Sequence, residues 1–265
     1  MTEQRKKNII LILADDLGYE CLSCYGGKSY NTPNLNAMAA SGTQFTHAYA
    51  LPLCTPTRVQ IMTGKYNFRN WKAFGILGPN EKTFGHYMQY AGYKTCITGK
   101  WQLWSYNPPN FEPEWRGQGM LPENAGFDEY FLWHAGHTED KGSRYADPVI
   151  LDNNGLRQDT EGKYGPDLYT EYLLDFAKRH QDEPFFIYYP MALTHGPFMP
   201  TPDSPGWIKD RQKSDLKNFK YMVEYTDKLI GRIMEGLDSL GLRDDTLVMF
   251  IGDNGSPTEV VSMLG

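Results

Sequence analysis

Residues 8–14 read Asn-Ile-Ile-Leu-Ile-Leu-Ala, an unbroken apolar run with no polar alternation. A strand with one face in water would alternate, so this run predicts a strand buried on both faces of a sheet. It breaks at Asp15-Asp16-Leu17-Gly18, where the chain must leave the sheet. The pattern recurs along the chain. Residues 93–99 (YKTCITG) read as a strand that delivers Lys100 to a loop, 184–190 (PFFIYYP) as another buried strand, and 246–254 (TLVMFIGDN) as a strand closing in acid and amide. Helical signals lie between these runs. Thr32, Pro33 and Gly42 mark the N-cap, first turn and stop of one helix. A second helix is expected from about Pro56 to Thr63, and a third from Phe84 to Ala91 with Thr83 as its cap. Asp167 is expected to cap a helix reaching about Arg179. Across 216–240 the positions Phe219, Met222, Leu229, Ile230, Ile233, Leu237 and Leu240 keep helical spacing. Strands alternating with helices predict an α/β fold, a mostly parallel central sheet sandwiched by helices.

Residues 101–165 are rich in aromatic residues, proline and glycine and show little periodicity, which predicts long functional loops. Trp101, Trp104, Trp115 and Trp133 fall there, either as stacking surfaces for sugar or aryl rings or as packing for the loops themselves. A net charge of −6 argues against a nucleic-acid partner held through phosphates. No run approaches the ~18 apolar residues of a membrane span. Ile9 to Ala14 is too short for a signal-peptide core, so the chain as given reads as cytoplasmic, or as periplasmic or secreted if a leader was removed. Four cysteines, Cys21, Cys24, Cys54 and Cys96, are too few for a disulfide scaffold. The Cys21/Cys24 pair has no second Cys/His pair at matching spacing and reads as two small residues in a packed loop.

Polar residues gather where strands are predicted to end: Asp15-Asp16, Lys100, His195 and Asp253-Asn254. Open α/β sheets bind ligands at that edge. Either acidic pair alone is an ordinary cap or turn. Brought together, three carboxylates and an amide oxygen call for a hard divalent cation, Ca²⁺ or Mg²⁺. Cys54 stands two residues before Pro56 and four before Arg58, at a helix start whose free N–H groups favour anions. With Arg58, Lys100 and His195, the implied ligand is a tetrahedral oxyanion, a sulfate or phosphate ester.

The string Cys54-Thr55-Pro56-Thr57-Arg58, followed by MTGKY, resembles the C-x-P-x-R signature of type I, formylglycine-dependent sulfatases of the alkaline-phosphatase superfamily. The resemblance extends over NIILILADDLGYECLSCYG, NTPNLNAMAASGTQFTHAYA, TGKW and TLVMFIGDNGS, and so over nearly the whole chain. It implies a sulfuric ester hydrolase in which Cys54 is oxidised to formylglycine by a formylglycine-generating or other sulfatase-maturating enzyme. The hydrate of that aldehyde would attack sulfur, expel the alcohol and then release sulfate. By the same resemblance, Asp15, Asp16, Asp253, Asn254 and modified Cys54 bind Ca²⁺. Arg58 supports the aldehyde hydrate, and Lys100 and His195 grip the sulfate of a sulfated small molecule or carbohydrate.

Two departures stand out. The family usually reads G-K-W-H, whereas this chain has Gln102 after Trp101 in the substrate-binding loop. Glutamine hydrogen-bonds but cannot take a proton, so slower breakdown of the sulfated intermediate is expected unless His134 or His137 supplies the base. The family also continues into another active-site lysine and a smaller C-terminal subdomain. Residues 1–265 are therefore expected to be the N-terminal catalytic domain of such an enzyme, or a shortened paralogue. The rival readings are a phosphonate or phosphate ester hydrolase and a non-catalytic anion- or sugar-binding paralogue.

Overall fold

A computed structural model describes residues 6–105, 113–136 and 141–264. Seven strands, β1 (Asn8–Ala14), β2 (Lys94–Lys100), β3 (Glu129–Trp133), β4 (Ile150–Asp152), β5 (Gly155–Leu156), β6 (Phe185–Pro190) and β7 (Thr246–Gly252), form one sheet in the order β5-β4-β3-β2-β6-β1-β7. β1, β2, β3, β6 and β7 run parallel, and β4 and β5 append an antiparallel edge. The helices are α1 (Pro33–Ser41), α2 (Cys54–Thr63), α3 (Phe84–Tyr90), α4 (Gly165–Arg179), α5 (Gly206–Asp210) and α6 (Asn218–Ser239). Among the described residues, no helix is long and apolar enough to cross a membrane.

The period-2 geometry of β1 divides its apolar run between two cores. Ile10 and Ile12 pack with Leu35 of α1, Tyr169, Leu173 and Phe176 of α4, and Met222, Ile230 and Ile233 of α6. Leu11 and Leu13 face the other way, against Val59 and Met62 of α2 with Phe84 and Met88 of α3 alongside. β6 splits likewise, Ile187 and Tyr189 to the first core and Phe186 and Tyr188 to the second. A strand covered on both faces has no solvent side on which to place polar residues, which is why the run is unbroken.

Several local expectations are corrected by contacts between distant parts of the chain. Thr32 does not cap α1; its hydroxyl instead accepts from the Ser23 amide at 3.0 Å. The cap comes from Asp227 of α6, whose carboxylate accepts from the amides of Asn34 (3.1 Å) and Leu35 (2.8 Å). α2 begins at Cys54, so Pro56 lies inside its first turn, where a missing N–H costs nothing. α4 begins at Gly165, and Asp167 in its first turn accepts from Tyr225 and Arg232 of α6. Thr83 does cap α3, accepting from the Gly85 amide at 3.0 Å.

The stretch 101–165 holds β3, β4 and β5 as well as loops. The two-residue turn Asn153-Asn154, with Gly155 opening β5 after it, is the turn signal that could have disclosed them. Trp101 and Trp133 are fully buried and pack the core, while Trp104 and Trp115 are partly exposed.

Gly99 precedes Lys100 in β2 with φ +123°, and a Cβ there would meet the Pro190 carbonyl oxygen of β6 at 2.1 Å. Gly99→Ala is therefore expected to cost at least ~2 kcal/mol, since neither strand backbone can yield. A thermal melt checks this; an unchanged midpoint would mean that the two strands separate freely at that point.

Candidate active site

Parallel strands all point the same way, so the residues that follow β1, β2 and β7 emerge at one edge of the sheet. The register sets which of them meet. Ala14 pairs with Gly252, which places Asp15 beside Asp253 and Asp16 beside Asn254. The Asp253 amide donates to the Ala14 carbonyl at 2.9 Å, and the Asp16 amide to Asp253 Oδ1 at 3.0 Å. Asn254 Nδ2 donates to Asp16 Oδ1 at 2.7 Å. Candidate ligand atoms of Asp15, Cys54 and Asp253 lie within 4.8 Å of one another, as do those of Asp15, Asp16 and His195.

Three oxygens in this cluster, Asp15 Oδ1, Asp253 Oδ2 and Asn254 Oδ1, are buried without a hydrogen-bond partner. Buried polar atoms are otherwise almost always paired, so three oxygens without a partner among the described residues, two of them on the neighbouring Asp15 and Asp253, mark a place for a cation. The donors are oxygens, which suits a hard divalent ion.

Lys100 leaves β2 with 1% exposure and donates from Nζ to Asp15 Oδ2 at 2.7 Å. Arg58, one turn into α2 from Cys54, donates from Nη1 to the Trp101 carbonyl (2.6 Å) and from Nη2 to the Lys100 carbonyl (2.7 Å). These bonds clamp α2 to the loop that presents Lys100. The structure thus gives Arg58 a positioning task, distinct from the direct support of the Cys54 side chain that the family resemblance implies.

His195 follows β6. Its Nδ1–H donates to the Gly196 carbonyl at 2.6 Å, which leaves Nε2 facing Asp16 Oδ2 at 3.6 Å. In the neutral ring that bond puts the lone pair on Nε2.

The electrostatics follow from burial. Burial would raise the Asp15 carboxyl, but Lys100, then His195 and Arg144, outweigh it and bring it down to about 2. Asp253 goes the other way: burial and the neighbouring Asp15 charge lift it well above the usual carboxylate range. Burial pushes the Cys54 thiol up, with Asp15 and Asp253 adding to the rise and Lys100 and Arg58 opposing it. A protonated thiol is a weak nucleophile, so this is no site for a reactive thiolate. Burial lowers His195 against the pull of Asp15.

Three non-glycine residues at strand ends take left-handed φ: Asp16 at +60°, Gln102 at +45° and His134 at +54°. Such conformations cost about 1–3 kcal/mol each and cluster at functional sites. Gln102 and His134 are both buried, and the Gln102 amide donates to the His134 carbonyl at 3.1 Å. His134 is therefore a backbone neighbour of the position where a histidine was expected; His137 lies outside the described residues.

Sequence reasoning missed Arg144 and Tyr145. The Tyr145 hydroxyl donates to the Ala192 carbonyl at 2.7 Å and to that of His195, tying down the loop that carries the histidine. Arg144 Nη1 lies 3.8 Å from Asp15 Oδ2. Both residues come from the aperiodic stretch, where no spacing rule connects them to Asp15 or His195.

A family model described as Sulfatase matches residues 7–262. Human arylsulfatase A is 31% identical over 291 residues, spanning 98% of this chain and 54% of the relative. Human N-acetylgalactosamine-6-sulfatase is 31% identical over 283 residues, 94% of this chain and 50% of its own length. The chain thus spans about half the length of these curated relatives. A crystal structure of Ps i-CgsB superposes with a TM-score of 0.78 at 26% identity, covering 95% of this chain and 59% of the other.

Proposed function

Because the chain belongs to the sulfatase family, we propose that it hydrolyses sulfate monoesters of carbohydrates or small molecules, using a Ca²⁺ ion and a formylglycine made from Cys54. The carbohydrate part of this reading draws on the relative named for N-acetylgalactosamine 6-sulfate. The observation that carries the proposal is the trio of orphaned oxygens, Asp15 Oδ1, Asp253 Oδ2 and Asn254 Oδ1, beside Cys54 at the head of α2 and Lys100 at the end of β2.

Asp15, Asp16, Asp253 and Asn254 would hold the ion. A hard cation there supplies charge that draws sulfate oxygens and sharpens an oxygen nucleophile. Sulfur is a poor ligand for such an ion, whereas an oxygen-bearing side chain at position 54 completes an all-oxygen set. The hydrated aldehyde would supply the nucleophilic hydroxyl.

The chain's own residues perform the remaining tasks. Lys100 Nζ, already desolvated, binds a sulfate oxygen without paying for dehydration at the moment of reaction. His195 Nε2, fixed by the Nδ1–H bond to Gly196, faces the Asp16 carboxylate and would donate to a sulfate oxygen only in the protonated ring. Arg58 keeps Lys100 in place through the two carbonyls it binds. Gln102 can donate or accept a hydrogen bond but cannot carry a proton, which favours slower release of sulfate. Cys54 is 6% exposed once folded, so the maturating enzyme would read the Cys54–Arg58 segment before α2 packs.

The deciding assay compares an aryl sulfate with the matching aryl phosphonate and phosphate, on protein with verified formylglycine and added Ca²⁺. The sulfate should be cleaved at least ~10-fold faster, a difference of about 1.4 kcal/mol in barrier. Faster phosphonate cleavage would replace this reading with the phosphonate hydrolase. Gln102 favours the non-catalytic alternative, for which the signature is anion binding with no turnover of any ester.

Cation affinity should also depend on pH. Asp15 is ionised across the neutral range, whereas Asp253, raised by burial and Asp15, carries a proton until the pH passes its elevated value. An ion must displace that proton, so affinity should climb with pH above ~4 and binding should release protons. Calorimetry in buffers of differing ionisation enthalpy measures the release. A buffer-independent heat together with pH-independent affinity would remove Asp253 from the ligand set.

A further inference from the structure

We infer that Arg144 is a second anion-binding cationic side chain of this site, contacting an oxygen of the bound tetrahedral oxyanion alongside Lys100. The inference rests on the proposed function only in taking that anion to be a sulfate ester. Arg144 arrives from the segment between β3 and β4 and is 6% exposed. Its guanidinium carbon lies 4.1 Å from the centroid of the Trp133 ring, and the Trp133 indole N–H is itself held by the Gly142 carbonyl at 3.2 Å. The backbone is fixed as well: a Cβ on Gly165 would come within 2.2 Å of the Arg144 carbonyl oxygen, so only glycine lets α4 start against it.

From this seat Nη1 points at the site without finding an acceptor. It is buried, has no hydrogen-bond partner among the described residues, and stands 3.8 Å from Asp15 Oδ2, beyond hydrogen-bonding distance. Lys100 Nζ already holds that same oxygen at 2.7 Å. Two cations therefore flank one carboxylate oxygen that satisfies only one of them. An ion pair kept for stability would close this gap. A tetrahedral anion against Lys100 presents further oxygens and gives Nη1 the acceptor it lacks. Arginine suits the task because its planar fork stacks on the indole and still directs N–H groups along its edge. Arg58 is committed differently: both of its terminal nitrogens donate to carbonyls of the Lys100 loop, although its Nε is likewise buried without a partner among the described residues.

The test measures binding of inorganic sulfate, and separately inorganic phosphate, to the full chain in the presence of Ca²⁺ by calorimetry, with no turnover required. Arg144→Gln should weaken the anion at least ~10-fold, as loss of a charge-assisted hydrogen bond does, and Arg144→Lys about threefold, keeping charge but losing the fork. In aryl sulfate assays KM should rise by a larger factor than kcat falls. Arg144→Gln that melts within about 2 °C of the parent and binds both anions within about twofold would overturn the inference. Should that variant not fold, Arg144→Lys decides alone, and parental affinity in it counts against. A parent that binds neither anion also overturns it. Arg144-dependent phosphate binding without sulfate binding or sulfatase turnover would uphold Arg144 while sinking the sulfatase reading.

Discussion

Cys54→Ala is expected to abolish sulfate-ester hydrolysis, lowering kcat/KM by at least ~10³-fold, because it removes the group that forms the covalent bond. The fold should survive. Cys54 is the first residue of α2, a position where alanine is well tolerated, and relative to the formylglycine parent the variant loses only a small oxygen-bearing group. The expected cost is about 1 kcal/mol or less. The measurement pairs steady-state rates with a thermal melt, after mass spectrometry has confirmed formylglycine in the parent and its absence in the variant. A folded variant with residual activity within ~10-fold of the parent would move the nucleophile elsewhere.

Asp253→Asn should change stability and function in opposite directions. Asp253 is buried beside Asp15 and is raised well above its unfolded value by burial and by that neighbour. For a carboxyl raised on folding, the penalty is absent below the unfolded pKa and is felt as pH rises above it, because the unfolded chain then gives up a proton that the folded chain keeps. At neutral pH without metal, the asparagine variant escapes that penalty while its amide oxygen can still accept from the Asp16 N–H. It should therefore be more stable in EDTA. With Ca²⁺ the order should reverse, since the parent gains stability by mass action and the variant does not. Hydrolysis should fall by more than the ~10–100-fold typical of losing a residue behind a metal ligand. Melting curves with EDTA and with graded Ca²⁺ read both signs at once. Equal stabilisation of the two proteins by Ca²⁺ would take Asp253 out of the ion site.

Both expectations rest on charge that is crowded and only partly compensated. Lys100 and Asp15 form a buried pair at 2.7 Å, so losing either partner would strand the other. The remaining imbalance lies in Asp253 and in the orphaned oxygens. A structural ion-pair network would have closed itself. This one leaves, among the described residues, acceptors on Asp15, Asp253 and Asn254 and a donor on Arg144 without hydrogen-bond partners.

What the sequence determined by itself was four of the five parallel strands, β3 being hidden in the aperiodic stretch, and the chemistry at their ends. Unbroken apolar runs at 8–14 and 184–190 can be satisfied only inside a doubly covered sheet, and parallel strands send Asp15, Lys100 and Asp253 to one edge whatever their order. Cys54 and Arg58 were legible because the residues between them are local, one helical turn apart. The tertiary structure decided which ends are neighbours. The order β2-β6-β1-β7 and the pairing of Ala14 with Gly252 bring the two acidic pairs side by side, and no periodicity encodes either. It also decided the contacts that local rules misassigned: Asp227 capping α1 in place of Thr32, Arg58 clamping the Lys100 loop, and Arg144 reaching Asp15 from an aperiodic stretch. These contacts join residues distant in the chain, where hydrogen-bonding and charge are satisfied by whatever the packed sheet brings near, so their partners exist only once the chain has folded.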